Sequence, residues 1–144
     1  MVAFPSVRVR RRRLEKLADI LEDHAGPIRL FSGLGSVSGG KRQPMRRDCS
    51  PFSIAFADPV FRAEGLSGDT MGEASAFFGL TASQSRALVC SGCYFGPVDT
   101  RTVATRARFM ATHPGVAARV RNFVARFAGV GRVNPGRTAT APAV

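Results

Sequence analysis

The chain lacks tryptophan and carries only two histidines, three cysteines and, among 21 basic residues, two lysines (Lys16 and Lys41). So small a stock of soft ligands restricts metal chemistry, because a structural zinc ion takes four of them in one place. Long apolar runs are missing too. No stretch approaches the ~20 residues that span a bilayer, so no membrane span is expected and the chain reads as soluble and cytoplasmic. Arg8 and Arg10 to Arg13 open the chain without the apolar run that a secretory signal places after its basic residues. The first 14 residues contain no acid, a composition shared with organellar transit segments and not sufficient to define one. No internal repeat is visible.

What is present suffices for one folded domain. A chain of 144 residues with 44% hydrophobic residues and 11 phenylalanines can bury a core without disulfide support. The net charge of +11 is unevenly spread. Residues 1–43 hold nine Arg/Lys against four acids, residues 44–112 seven against six, and residues 113–144 five arginines and no acid. The basicity therefore belongs to the flanks, where it suits nucleic acid or an anionic membrane surface. A uniform preference for Arg over Lys also arises from biased codon usage, which says nothing about partners.

Helical spacing and cap chemistry organise the middle. Residues 1–8 read as a flexible basic arm. Leu14, Leu17, Ala18 and Leu21 recur at helical intervals within 9–25, and Gly26-Pro27 ends that helix. Ile28 to Phe31 is too brief to assign. Ser32 to Gln43, with four Gly and three Ser, reads as a loop. Cys49 to Ala57 is an apolar helix or turn. Asp58-Pro59 sets a capping residue before a first-turn proline, with Gly65 closing a short helix. Residues 70–90 form the clearest pattern: Thr70 with Glu73 and Thr81 with Gln84 fit two capping boxes, and Gly79 stops the first helix. Ala74, Phe77, Phe78, Leu80 and Leu88 supply its apolar stripe. Cys90 to Val98 is turn-rich, and 101–112 is helical through Val103, Ala107 and Met110. Pro114 starts a last helix with Val116, Val120, Phe123, Val124 and Phe127 on one face. Gly, Pro, Thr and Ala dominate 129–144, which reads as a disordered tail.

Three of these segments resemble a family of small uncharacterised all-helical bacterial proteins. They are Leu14-Glu-Lys-Leu-Ala-Asp-Ile-Leu-Glu22, the Phe77-Phe-Gly-Leu-Thr81 turn and Val116-Ala-Ala-Arg-Val-Arg-Asn-Phe-Val124. The matched segments span 14–128. Members often carry Cys-Gly-Thr-x-x-Cys where this chain has Cys49-Ser-Pro-Phe-Ser53, so a second thiol is missing there. The resemblance implies a helical fold and a bacterial origin and assigns no activity.

Several constellations touch on chemistry. Gly35-Ser-Val-Ser-Gly-Gly40-Lys41-Arg42 approaches a phosphate-cradling loop, yet Arg42 replaces the metal-binding hydroxyl and Pro44 interrupts the helix that should follow. Cys90-Ser-Gly-Cys93 has the spacing of a zinc knuckle or a dithiol, with Cys49, His24 and His113 the remaining soft candidates. Zinc lacks a second ligand pair in sequence, and a dithiol of the redox-enzyme kind wants a βαβ context absent here. Cys49 with His113 could pair as nucleophile and base, but Cys49 sits in an apolar run where thiols pack. Residues 71–90 have the rhythm of a helix-turn-helix, with Ser83, Gln84 and Arg86 placed to meet phosphates or base edges. Ser85 falls where that motif wants an apolar residue.

These observations predict an all-α, single compact domain of five or six short helices over 9–128. Neither a catalytic residue nor a cofactor is assigned. The leading expectation is a non-catalytic protein that acts through an unidentified protein partner. The alternative is nucleic-acid binding through Arg10, Arg11, Arg12, Arg13, Ser83, Gln84, Arg86, Arg119 and Arg126.

Overall fold

The computed structural model describes residues 4–32 and 47–113, and within them the fold is all-α. The helices are α1 (Val7–Asp23), α2 (Pro51–Ala57), α3 (Pro59–Ala63), α4 (Met71–Phe78), α5 (Ala82–Val89) and α6 (Thr100–Thr112). A 3₁₀ turn, Ser91–Cys93, lies between α5 and α6. No described helix is long and apolar enough to cross a membrane. The helix expected from Pro114, and with it Arg119 and Arg126, lies outside the described residues.

Each helix starts where a side chain satisfies backbone N–H groups that the helix itself leaves unpaired. Ser6 accepts from Val9 N, which starts α1 two residues before the apolar period suggests. Ser50 caps α2, and Asp58 accepts from both Val60 N and Phe61 N to begin α3. Both expected capping boxes are complete, Thr70 with Glu73 at α4 and Thr81 with Gln84 at α5. Asp99 caps α6 through Thr102 N at 2.7 Å. The Thr102 hydroxyl and backbone together hold the Asp99 carboxyl below its ordinary pKa.

The stops are equally local. Gly79 ends α4 at φ 66°, a left-handed conformation that costs glycine little. A Cβ there would also stand 2.9 Å from the Pro5 ring, so the α4–α5 turn is closed over by the start of the chain.

These short helices depend on burial for stability. α1 and α6 form the main packed pair, with Leu14, Leu17, Ala18 and Leu21 meeting a core that includes Val103, Ala104, Ala107 and Ala111. Arg108 of α6 reaches across to Asp19, at 2.6 Å, and to Glu22. Its hydrogen bonds draw the Glu22 carboxyl below its usual range. An aromatic cluster fills the other side. Phe61 meets Phe77 and Phe78 edge-on with ring centres 5.5 and 5.4 Å apart, and Phe52 stacks on Phe78 at 6.2 Å. Both Phe77 and Phe78 are buried, and Leu80 joins the same core.

Ile28 to Phe31 is resolved by pairing rather than by propensity. Arg29 N donates to Cys49 O, Phe31 N to Val89 O, and Ser91 N to Phe31 O. The segment is thus an extended thread stitched between residue 49 and the end of α5, with a single parallel bridge from Phe31 to Cys90.

Candidate functional site

The four consecutive arginines of α1 leave the helix in different directions, as successive residues on a helix must. Arg10 turns inward and is only 4% exposed. Its Nε donates to Gly79 O at 3.1 Å and its Nη1 to Met110 O at 2.7 Å. This corrects its expected place among surface contacts to nucleic acid: Arg10 ties α1 to the α4–α5 turn and to the end of α6. Arg11 pairs with Glu15 on its own helix. Arg12 and Arg13 share Glu64, and Arg13 also donates to Phe77 O at 2.7 Å with its guanidinium 3.8 Å from the Phe77 ring centre. Arg13, Glu64 and Phe77 line a cleft of about 580 Å³ that Phe4 and Pro5 border.

The α4–α5 pair is joined by Gly79, Leu80 and Thr81 and latched by hydroxyls. Ser85, which the helix-turn-helix pattern wants apolar, is buried with its Oγ 2.6 Å from Ser75 Oγ. Ser75 spends its proton on Met71 O, so the Ser85 hydroxyl donates to Ser75. A small polar pair therefore replaces an apolar contact at this position. Ser83 and Arg86 lie on the exposed face of α5. Gln84 commits its Oε1 to Thr81 N as part of the cap.

Residues 90–98 carry the most distinctive surface. Cys90 and Tyr94 are buried, and Val98 packs partly against the core. Tyr94 donates its hydroxyl to Leu88 O at 2.6 Å, and burial pushes its pKa up to about 12 despite the adjacent Arg106. The Arg106 guanidinium lies 3.7 Å from the Tyr94 ring centre. Its Nη1 donates to Ala87 O at 2.6 Å and to Cys93 O at 2.8 Å. Between these anchors Phe95 is fully exposed (104% of its reference area), followed by Gly96 at φ 80°. Its ring is held out by a loop fastened on both sides. Composition gave no sign of it; the Tyr-Phe-Gly-Pro run marks two aromatics entering a turn, and only the fold decides which ring is buried. Phe109 on α6 is also exposed and stacks on His113 with ring centres 4.0 Å apart.

The soft ligands do not gather. Among the described residues, no three His, Cys, Asp or Glu side chains are grouped to hold a metal ion. Cys90 is buried, Cys93 exposed and Cys49 half-buried, all as free thiols. His113 engages Phe109 O and Thr112 at the end of α6. Cys49 instead borders a second cleft, of about 540 Å³, whose histidine is His24. Its backbone is left-handed at φ 59°, an uncommon setting for a residue with a Cβ.

Comparison of the chain with protein-family models, curated proteins and solved structures finds no match to any of them. The site's own geometry is what argues for function.

Proposed function

We propose that this chain is a non-catalytic bacterial protein of the cytoplasm that binds a protein partner, with Phe95 as the anchor of the contact. The observation that carries this reading is the full exposure of Phe95 on a loop fastened by Cys90, Tyr94, Val98 and Arg106. A large ring left in water costs free energy that insertion into a partner's pocket recovers, and aromatic anchors dominate protein–protein binding energy. A preordered loop spares the partner complex the entropy of fixing it. The bacterial setting rests on the three-segment sequence resemblance.

A photo-reactive phenylalanine analogue at position 95 tests this in living cells. One discrete crosslinked species is expected at 95 and none from the same analogue at Ala82, on the outer face of α5. Phe95→Ser should abolish co-purification of that species while leaving the melting temperature unchanged. No adduct at 95, or equal adducts at both positions, would overturn the reading.

Nucleic-acid binding is the second reading, favoured by the exposure of Ser83 and Arg86 on the capped α4–α5 pair. The inward turn of Arg10 and the ion pairs of Arg11, Arg12 and Arg13 weaken it. Phosphate-driven retention on DNA or RNA should fall steeply with salt if this reading holds.

A further inference from the structure

We infer that Cys90 and Cys93 form a reversible intrachain dithiol–disulfide pair that exchanges with low-molecular-weight disulfides. The two thiols occupy the ends of a closed turn: Cys93 N donates to Cys90 O at 3.1 Å, and Ser91–Cys93 forms the 3₁₀ turn between them. An i to i+3 hydrogen bond of this kind holds the terminal Cα atoms within about 7 Å. Disulfides usually span Cα separations of about 4.4–6.8 Å, a range that this bound overlaps. Both ends of the turn are independently fastened. Val89 O and Ser91 N, which flank Cys90, pair with Phe31, and Arg106 holds Cys93 O.

Exposure divides the labour. Cys93 is exposed and meets the incoming disulfide first, whereas Cys90 is only 5% exposed. The Cys93 thiolate attacks one sulfur of glutathione disulfide, forming a mixed disulfide and releasing one glutathione thiolate. The Cys90 thiolate then attacks the Cys93 sulfur, and the second glutathione leaves. Two protein thiols are oxidised, one glutathione disulfide is reduced to two thiols, and the two protons pass to the released thiolates. Burial raises the Cys90 thiol pKa, which slows its attack and makes it a poor leaving group when a reductant attacks Cys93. Once closed, the bridge is therefore expected to reopen slowly. Cys49 is half-buried beside Ser50 at the start of α2 and does not belong to the 90–93 turn.

The pair is tested on the full chain equilibrated with glutathione and glutathione disulfide, trapped by alkylation and mapped by peptide mass spectrometry. Two of the three thiols should be lost to a Cys90–Cys93 bridge, with Cys49 still alkylated. Cys90→Ala should convert the product into a persistent glutathione adduct on Cys93, and Cys93→Ser should leave Cys90 as a thiol. Circular dichroism of each variant establishes that it is folded. If Cys90→Ala fails to fold, the wild-type map with Cys93→Ser decides the matter. A stable wild-type glutathione adduct, Cys93-linked dimers or three unreacted thiols under oxidising buffer would each refute the pair.

Discussion

Tyr94 joins two roles in one side chain, since its ring supports the loop that displays Phe95 and its hydroxyl satisfies Leu88 O inside the fold. Burial disfavours the phenolate and moves its pKa from the ordinary value of 10.0 up to about 12, with Arg106 opposing the shift. The sign of the linkage follows from that order. Below about pH 10 the phenol is protonated in both states, and its contribution to stability is fully present. Between about 10 and 12 the unfolded chain has released the proton that the folded chain still holds, so stability declines with rising pH. It is lost as pH passes through the folded value. Tyr94 is the sole tyrosine and there is no tryptophan, so near-ultraviolet phenolate absorbance reports this site alone. The native chain should titrate near 12 and the denatured chain near 10. Tyr94→Phe should lose about 1 kcal/mol at neutral pH with the hydrogen bond and flatten the alkaline decline relative to wild type. A native titration near 10 would show that the hydroxyl is wet and the loop open beneath Phe95.

Helices this short hold together through a few cross-connections, and Arg10 is the most concentrated of them. One guanidinium spans Gly79 O and Met110 O, linking α1 to the α4–α5 turn and to α6. Arg10→Lys keeps the charge and loses the fork, because a single ammonium cannot reproduce both directed contacts from the same stem. The substitution should cost about 2–4 kcal/mol, read from chemical denaturation, since a buried carbonyl left without its charged donor adds a desolvation penalty. Stability within error of wild type would show that the two carbonyls are served by water. Three of the helix starts and the α4 stop were legible in the residues: Thr70, Thr81 and Asp58 each name their own helix, and Gly79 the end of α4, whereas the caps Ser6, Ser50 and Asp99 were not. Those signals act over three or four positions, within reach of a reading along the chain. Arg10 was legible only as one arginine in a basic run, because its partners lie 69 and 100 residues away. The hydroxyl latch of Ser75 and Ser85, only ten positions apart, was hidden because it joins two separate helices across their turn. The extended thread at 28–31 owes its conformation to Cys49 and Val89 rather than to its own sequence. At the candidate site, the cysteine spacing was readable directly, whereas the display of Phe95 required knowing that Tyr94 and Val98 point inward.

The charge of the whole molecule divides unevenly between the described residues and the rest of the sequence. Residues 4–32 and 47–113 hold thirteen Arg/Lys and all ten acids, so they account for only +3 of the total +11. The rest comes from Lys41, Arg42 and Arg46 and from five arginines after residue 113. Among the described residues, Arg11, Arg12, Arg13 and Arg108 face four carboxylates in all, with Arg12 and Arg13 sharing Glu64 and Arg108 taking both Asp19 and Glu22. Paired charges present little net field beyond the ~8–10 Å over which physiological salt screens them. Most of the net charge that could hold nucleic acid therefore lies in the sequence outside the described residues, where Arg119 and Arg121, two apart, would project to different sides of any helix they occupied. Charge reversal at Arg119 and Arg126 is accordingly expected to leave retention on DNA and RNA near background, as in the unmodified chain. The decisive measurement is retention across a salt gradient for both proteins. Tight binding by the unmodified chain that weakens steeply with salt and vanishes in the reversed variant would transfer the function to nucleic acid. It would also reassign Phe95 from a protein anchor to a ring that stacks on a base.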